Sequence, residues 1–409
     1  MRRVIAITLG IMASIGGFFD MGEIVMTAES GARFGFGHVW VVALGTLGII
    51  LYAEMAGRIA VLSRRPVFDI VRERLGARIG FMNLSASFLI NVLTLVAEIA
   101  GLALAFELLS GIAYYLWVPV AVLLVFFIIW RVSFELMERS IGIVGLVMIV
   151  FAVAFWQLGP DWSDVATKIV RPEIPASETT ALYWYFAIAI FGAAMTPYEV
   201  FFYSSGAVEE RWSRQDLVTN RATAYIGFFV GGFLATSSIG VAALVLGPRG
   251  ISVEDLSTIT LGPASVLGRL GLAAIIVGLF ASTTGAALEV TLATGYSAAQ
   301  YFGWAWGKFV RPRDAARFHL VMIASLVVAG LLVVSSLDPI KVTELAVVFS
   351  AIGLPLTYLP VLVVANDRGY MGSQVNGRAL NLVASAYLVV ILAASLAAIP
   401  LMIWTKMGS

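Results

Sequence analysis

Long apolar runs, separated by short polar and basic segments, dominate the pattern of this 409-residue chain. Each run has about the length, near 20 residues, at which an α-helix crosses the hydrocarbon core of a bilayer. The segment 267–298 is also compatible with two shorter elements, because Gly and Thr interrupt it. The alternation of polar and apolar residues that a membrane β-barrel requires is absent. The pattern therefore predicts about eleven spanning helices, at residues 4–27, 38–57, 84–108, 113–130, 140–158, 182–204, 222–246, 267–298, 318–336, 343–364 and 381–404.

Composition and charge agree with a membrane protein. Hydrophobic residues make up 60% of the chain and charged residues 12%, whereas charged residues are about 25% of a typical soluble domain. The predicted loops divide the 26 Lys and Arg residues 19 to 7 between the two sides. Because basic loops remain in the cytoplasm, we expect a cytoplasmic N-terminus and an external C-terminus, in a bacterial plasma membrane. Thiolate metal ligands are excluded, since the chain has no Cys.

Six carboxylates lie inside the apolar runs, more than two residues from either end: Asp20, Glu23, Glu54, Glu98, Glu199 and Glu289. The runs contain one basic residue, Arg269 near the start of 267–298. An ionised acid in hydrocarbon is costly and normally faces a partner or a cavity. The missing positive charge is most simply supplied by a transported metal ion, proton or organic cation. Glu54 is different, because Arg58 follows it at i+4 and predicts a structural ion pair. For Glu289, a role in gating or helix packing is favoured over ligation.

Two of the predicted helices contain residues that interrupt a helix in mid-membrane. The first contains GGFFDMGEIVMT around Asp20, and the sixth contains GAAMTPYEVFFYS with Pro197 at its centre. Pro removes a backbone donor, and Gly permits unusual dihedral angles. Interrupted helices at corresponding places in two halves of a chain are the best sequence indication of a transporter's substrate site. Breaks five segments apart predict one core domain, 1–366, built from two inverted repeats at about 1–160 and 180–366; residues 367–409 add a loop and another helix.

Three stretches are similar to one known family. They are EMAGRIAVLSRRPVFDIVRERLG (54–76), VAEIAGLALAFELL (96–109) and LPLTYLPVLVVANDRGYMG (354–372). They correspond to helix 2 with its following loop, to helix 3, and to the end of helix 10 of the NRAMP divalent-metal transporters, which the chain resembles over nearly its whole length. The resemblance implies an all-α membrane protein with the LeuT-type 5+5 inverted repeat, broken helices 1 and 6, and an extra helix 11.

The site motifs of the family are half retained. Family members carry Asp-Pro-Gly-Asn in helix 1 and Gly-Ala-Thr-Val-Met-Pro-His-Asn in helix 6. This chain has Asp-Met-Gly-Glu at 20–23 and Gly-Ala-Ala-Met-Thr-Pro-Tyr-Glu at 192–199. The resemblance implies that the metal is held by Asp20, Glu23, the carbonyl of Ala193, and Thr196. All four ligand atoms are oxygens, which suit hard ions such as Mg²⁺, Mn²⁺ or Ca²⁺, whereas the Met sulfur that the family has in place of Thr196 favours softer metals.

The resemblance also implies that the family's proton route is damaged. Of two acids in helix 3 only Glu98 remains, and its partner position is Leu95; the His of helix 6 is Tyr198. A Gln of helix 10 that lies near the metal aligns with Val347, and the Arg of helix 9 has no counterpart. Weak or absent proton coupling is expected. Glu98, Tyr198 and Glu199 are predicted to line the ion's route or to support its ligands. A structural hydrogen bond is the alternative for Glu98; for Glu199 the alternatives are direct ligation of the ion and a hydrogen bond to the interrupted backbone.

The leading hypothesis is a secondary carrier of Mg²⁺ or Mn²⁺ that works by alternating access in the lipid bilayer. No motif of an enzyme, a cofactor or a nucleic-acid partner is present, and the oligomeric state is open, with a monomer compatible. The first alternative is a carrier of a small organic cation or amine, because nearby aromatic side chains could face an ammonium group: Phe18, Phe19, Tyr198 and Tyr203. The second alternative is a receptor or sensor that retains a carrier fold.

Overall fold

The computed structural model describes residues 17–132, 145–253, 255–335 and 338–408. Within those ranges the chain is almost entirely helical and contains no β-strand, which confirms the predicted all-α class. In chain order the α-helices are α1 Met21–Phe34, α2 Val39–Ser63, α3 Val67–Leu75, α4 Ala77–Ser110, α5 Tyr114–Arg131, α6 Val150–Gln157, α7 Trp162–Val170, α8 Thr180–Ala194, α9 Pro197–Glu209, α10 Leu217–Ala222, α11 Phe228–Val245, α12 Thr258–Phe302, α13 Ala316–Val334, α14 Pro339–Ala365, α15 Arg368–Met371 and α16 Arg378–Trp404.

More than half of the membrane-length apolar runs predicted from the sequence are present as spanning helices. In the described part of the chain 9 helices are long and apolar enough to span a membrane, or 10 if the bent pair Leu146–Gln157 and Trp162–Val170 is one span. That pair, bent by 109°, lies at the fifth predicted segment. The first predicted segment is represented by α1, since residues 4–16 lie outside the described residues, as do 140–144, Arg2, Arg3 and Arg139. The chain is an integral membrane protein, and the number of spans in its described part is close to the predicted eleven.

The predicted segment 267–298 forms most of α12. This helix contains one residue with non-helical dihedral angles, Gly268, at φ 58° and ψ −138°. Gly is the residue that adopts such a positive φ at little steric cost. Because the kink lies at the start of the predicted segment, the remainder is one continuous helix and not two short elements.

Close helix packing encloses the helices that carry the candidate site. Helix α12 packs along α4, α1 packs along α11, and α14 contacts α4, α8 and α16. A β-carbon on Gly192 of α8 would lie 2.4 Å from the carbonyl oxygen of Val347 on α14. A β-carbon on Gly31 of α1 would lie 2.4 Å from the carbonyl oxygen of Ile239 on α11. Small residues at membrane helix interfaces permit this close approach of two backbones.

The ion pair predicted between Glu54 and Arg58 is present. Nε of Arg58 lies 3.2 Å from Oε2 of Glu54, and only 6% and 9% of the two side chains are exposed. The guanidinium also donates to the carbonyl of Gln374 at 2.7 Å and to Oδ1 of Asn376 at 2.6 Å. Arg58 therefore joins α2 to the loop between α15 and α16, and Glu54 has the structural partner that the sequence indicated.

Candidate metal site

Helix 1 is interrupted at Phe19 and Asp20, as its sequence predicted. Asp20 has an extended backbone, φ −81° and ψ −177°, and is the N-cap of α1. Its Oδ1 accepts a hydrogen bond from the N–H of Glu23 at 2.9 Å, which satisfies one of the N–H groups that a helix start leaves without a partner. The carbonyl of Phe19 accepts a hydrogen bond from the hydroxyl of Ser282 on α12. Side chains thus replace the missing helical bonds at this break.

The sixth predicted spanning helix, called helix 6 as in the family, consists of α8 and α9 and is interrupted between them. Met195 and Thr196 leave the helical region, at φ −121°, ψ 41° and φ −58°, ψ 131°. Pro197 then begins α9 without an N–H group, so the carbonyl of Ala193 lacks the i+4 donor that a continuous helix would provide. The carbonyl of Met195 accepts a hydrogen bond from the hydroxyl of Tyr358 at 3.0 Å. The predicted break is confirmed, and it removes the helical donor of the carbonyl predicted as a metal ligand.

The two breaks lie side by side in the core. The hydroxyl oxygen of Tyr198, on α9, lies 2.9 Å from the carbonyl oxygen of Gly17 and 3.0 Å from Oδ2 of Asp20. A β-carbon on Gly22 would lie 2.9 Å from a methyl carbon of Val347 on α14. The structure therefore brings the breaks of helices 1 and 6 together. Val347, at the position of helix 10 that the resemblance placed near the metal, lies beside them.

Three acidic side chains near the helix 1 break are almost fully enclosed by protein. The exposed fractions of Asp20, Glu23 and Glu98 are 2%, 0% and 0%. Among the described residues, neither carboxylate oxygen of Glu23 has a hydrogen-bond partner. An unpaired carboxylate in such surroundings is strongly destabilised when it is ionised. The arrangement therefore favours a bound cation or a proton close to Glu23.

Glu98 combines a structural contact with an unsatisfied oxygen. Its Oε1 accepts a hydrogen bond from the N–H of Met21 at 3.0 Å, so α4 supports the first turn of α1. Within the described ranges its Oε2 has no partner. The structural alternative considered for Glu98 is thus present as a hydrogen bond, while its role in ion or proton passage stays a prediction.

The full set of four predicted ligands also stays a prediction. Across the described ranges, no three His, Cys, Asp or Glu side chains converge closely enough to hold a metal ion by themselves. The predicted set contains two carboxylates, and its other members are the carbonyl of Ala193 and the hydroxyl of Thr196. Both of these residues are buried, with exposed fractions of 3% and 4%, and the Thr196 side chain does not cap α9.

The sequence did not indicate which side chains would support the breaks. Ser282 and Tyr358 donate to the backbone of helices 1 and 6 from α12 and α14. A single hydroxyl in an apolar helix carries no signal of its partner, because the partner is distant in sequence. The close approach of Glu289 to Glu199 and Gly17 was not predicted either.

A second polar group that the sequence did not indicate lies at the opposite end of α1. The guanidinium of Arg33 binds both carboxylate oxygens of Glu178, at 2.9 and 3.2 Å, and the carbonyl of Gly408 at 2.9 Å. It also lies 3.4 Å from Oε1 of Glu29. Arg33 thus ties α1 to the segment before α8 and to the residues after α16.

Known proteins resemble this chain over nearly its full length. Residues 10–400 match the sequence model of the natural resistance-associated macrophage protein-like (Nramp) family. The divalent metal cation transporter MntH of Pectobacterium carotovorum is 25% identical over 370 residues, which cover 88% of this chain and 86% of that protein. The divalent metal cation transporter MntH 1 of Pseudomonas aeruginosa is 25% identical over 404 residues, covering 95% and 89%.

Solved structures share the fold. A manganese transporter of Eremococcus coleocola superimposes with a TM-score of 0.70 at 19% identity, covering 99% of this chain and 94% of that one. Mhp1, a nucleobase-cation-symport-1 family transporter, gives a TM-score of 0.63 at 16% identity, covering 98% and 92%. The predicted LeuT-type fold and the prediction that the chain is not an enzyme are confirmed. Because the family match extends over almost all of the sequence, the chain belongs to the Nramp family of membrane transporters.

Proposed function

We propose that this protein is a secondary transporter of hard divalent metal cations, Mg²⁺ or Mn²⁺, which it carries by alternating access. The two MntH proteins are divalent metal cation transporters by name, and the Eremococcus protein is a manganese transporter. The observation that carries the proposal is the position of Glu23. Its two carboxylate oxygens are buried without a hydrogen-bond donor among the described residues, one turn from Asp20 and beside the meeting point of the two breaks.

The ligands in this proposal are the carboxylates of Asp20 and Glu23, the carbonyl of Ala193 and the hydroxyl of Thr196. All four supply oxygen, which hard cations prefer, and a thioether is missing from the set. Two carboxylates balance the charge of one divalent ion. Selectivity for Mg²⁺ or Mn²⁺ over softer metals then follows from the replacement of the family's Met by Thr196.

We further infer that transport is weakly coupled to protons or uncoupled from them. Leu95 and Tyr198 stand where the family has titratable side chains, and α13 contains no titratable residue after His319. The membrane potential alone supplies about 4.6 kcal/mol per 100 mV to a divalent cation that moves inward. The two inverted repeats within 1–366, the cytoplasmic N-terminus and a bacterial plasma membrane are parts of the same proposal.

An amine substrate has less support than a metal ion. The rings of Phe18 and Phe19 pack edge-on against Phe228 and Phe151, with centroids 6.1 and 5.7 Å apart. Both side chains are almost fully buried, at 2% and 1% exposure. These aromatic groups therefore contribute to the core of the helix bundle, where an ammonium ion would displace packing contacts.

The test is metal uptake into proteoliposomes by the full chain and by two variants of equal shape, Asp20→Asn and Glu23→Gln. Asn also caps helices well, so the helix 1 break should persist. We expect Mg²⁺ or Mn²⁺ uptake to fall at least tenfold in each variant, while uptake of amines is absent throughout. Glu107→Gln is the control, because Glu107 accepts from the N–H of Tyr114 at 3.0 Å, far along α4 from the break. Normal metal uptake by both site variants would refute the proposed site.

A further inference from the structure

Two Glu side chains from different helices meet beside Gly17, on the N-terminal side of the helix 1 break. A β-carbon on Gly17 would lie 2.0 Å from Oε1 of Glu199, on α9, and 2.3 Å from Oε2 of Glu289, on α12. Because both oxygens lie so near one point, the two carboxylates face each other at close range. The absence of a side chain at Gly17 keeps the space between them open.

Nothing in the described ranges neutralises Glu199. Its residue is 3% exposed, its Oε1 has no hydrogen-bond partner there, and no ion pair in the described part involves it. Glu289 is also buried, at 6% exposure. Two neighbouring carboxylates repel each other when both are ionised, and burial increases the cost. The unsatisfied Oε1, which lies close to the second carboxylate, therefore indicates a position for a cation.

Tyr198 lies near both this pair and the ligands proposed above. Its hydroxyl oxygen lies 2.9 Å from the carbonyl oxygen of Gly17 and 3.0 Å from Oδ2 of Asp20. The phenol is also within electrostatic range of Glu98, Glu199 and Glu289. Several carboxylates thus lie near one phenol, and if all of them were ionised their combined charge would exceed the two positive charges of a single divalent ion.

We propose that Glu199 and Glu289 form a second binding position for the transported divalent cation, next to the position of Asp20 and Glu23 along the ion's route. This inference rests on the proposed function, since it takes the same ion as its ligand. Two carboxylates provide the charge, and water completes the coordination shell, because Mg²⁺ and similar hard ions commonly retain several waters in proteins. An ion that leaves the first position then meets a second pair of carboxylates near the same tyrosine.

The experiment counts bound Mn²⁺ in the full chain in detergent, by the loss of the electron paramagnetic resonance signal of free Mn²⁺. We expect two ions per wild-type chain. Glu199→Gln and Glu289→Gln should each bind one ion, and Asp20→Asn should lose the other. Gly17→Ala should resemble the Gln variants, since its methyl group would occupy the space between the carboxylates. Glu107→Gln should bind two ions.

The outcomes separate this inference from the proposed function. If both Gln variants bind Mn²⁺ with the number and affinity of the wild type while Asp20→Asn loses its ion, the pair is not a cation site and the proposed function stands. If Asp20→Asn binds as the wild type does and the Gln variants lose Mn²⁺, the pair is confirmed and the first ligand set is wrong. Should the Gln variants not fold, as judged by gel filtration, two ions bound to Gly17→Ala would equally overturn the pair.

Discussion

The hydroxyl oxygen of Tyr198, in the second half of helix 6, lies 3.0 Å from Oδ2 of Asp20 at the break of helix 1. The same hydroxyl is 2.9 Å from the carbonyl oxygen of Gly17, and its one proton serves one acceptor at a time. A phenol does not release its proton near neutral pH. Where the resemblance would place a titratable His, this chain therefore has a fixed donor that orients a predicted metal ligand.

Replacement of Tyr198 by Phe should weaken metal binding. The change removes the hydrogen bond to Asp20 and keeps the ring, and a typical hydrogen bond contributes about 1 kcal/mol. We expect Kd for Mn²⁺ to rise roughly fivefold, measured by titration calorimetry. Tyr203→Phe is the matched control. Tyr203 lies on the same helix as Tyr198, and its hydroxyl donates to the carbonyl of Asn220 at 3.0 Å. An unchanged Kd in Tyr198→Phe would mean that this bond serves the fold alone.

Pro197→Ala should restore a donor at the helix 6 break. Ala at this position has an N–H group that can bond to the carbonyl of Ala193 in a continuous helix, whereas Pro cannot. We expect Mn²⁺ to bind more weakly, by on the order of tenfold, because the new N–H group and the metal then compete for the same carbonyl oxygen. Pro119→Ala, within α5 and away from the site, is the control. Wild-type affinity in Pro197→Ala would argue against the Ala193 carbonyl as a ligand.

Thr196→Met should shift the preference of the site towards soft metals. A thioether is a soft ligand, so transport of Cd²⁺ should rise relative to transport of Mg²⁺. Thr196→Leu is the matched control, because Leu has similar bulk and no sulfur. We would measure uptake of both ions by all three proteins in the same liposomes. If the Met and Leu variants keep the wild-type order of preference, position 196 does not contact the ion.

The overall fold could be predicted because the bilayer restricts what an apolar segment can do. A spanning run must form a helix, and Pro197 in the middle of one removes a helical hydrogen bond. The ends of the helices were less well predicted: α4 begins at Ala77, whereas the apolar run begins at 84. Hydropathy reports the part of a helix that is in hydrocarbon, while backbone hydrogen bonds extend the helix into the polar loop.

The candidate site could be predicted only as far as its own sequence motifs extend. Asp20 and Glu23 stand out because acids are rare in apolar runs. The hydroxyl groups of Ser282 and Tyr358, which satisfy the broken backbone, depend on how distant helices pack. The approach of Glu289 to Glu199 depends on packing in the same way, and also on a Gly at position 17 that leaves room for both carboxylates.

Arg58→Ala should destabilise the protein strongly. Removal of one partner from a buried ion pair costs roughly 3–5 kcal/mol, because the other charge remains buried. Among the described residues, Glu54 would then retain Arg221 at 3.7 Å as its one basic partner. The control is Arg65→Ala, whose pairs with Asp69 and Glu73 are 36–52% exposed and should contribute about 1 kcal/mol or less. Thermal unfolding in detergent measures both. Equal shifts of Tm in the two variants would show that the Arg58 network adds no particular stability.

The last prediction concerns proton coupling. A proton that accompanies the metal needs a chain of titratable groups. Leu95, Tyr198 and the part of α13 after His319 interrupt that chain. One oxygen of Glu98 also already accepts a hydrogen bond from the N–H of Met21. We therefore expect inward Mg²⁺ or Mn²⁺ flux to be electrogenic and to leave the pH inside the vesicle unchanged. A potential, negative inside, should accelerate uptake, because a divalent ion gains about 4.6 kcal/mol per 100 mV.

The measurement records metal uptake and internal pH together in sealed liposomes, with and without an imposed pH gradient. The double variant Leu95→Asp with Tyr198→His supplies the comparison, since it replaces two interruptions by titratable side chains. If those residues limit proton passage, this variant should acidify the vesicle lumen as metal enters, and the wild type should not. Stoichiometric proton entry in the wild type would contradict the uncoupled hypothesis. The proton would then have to travel by the acids near the break, among them Asp20, Glu23 and Glu98.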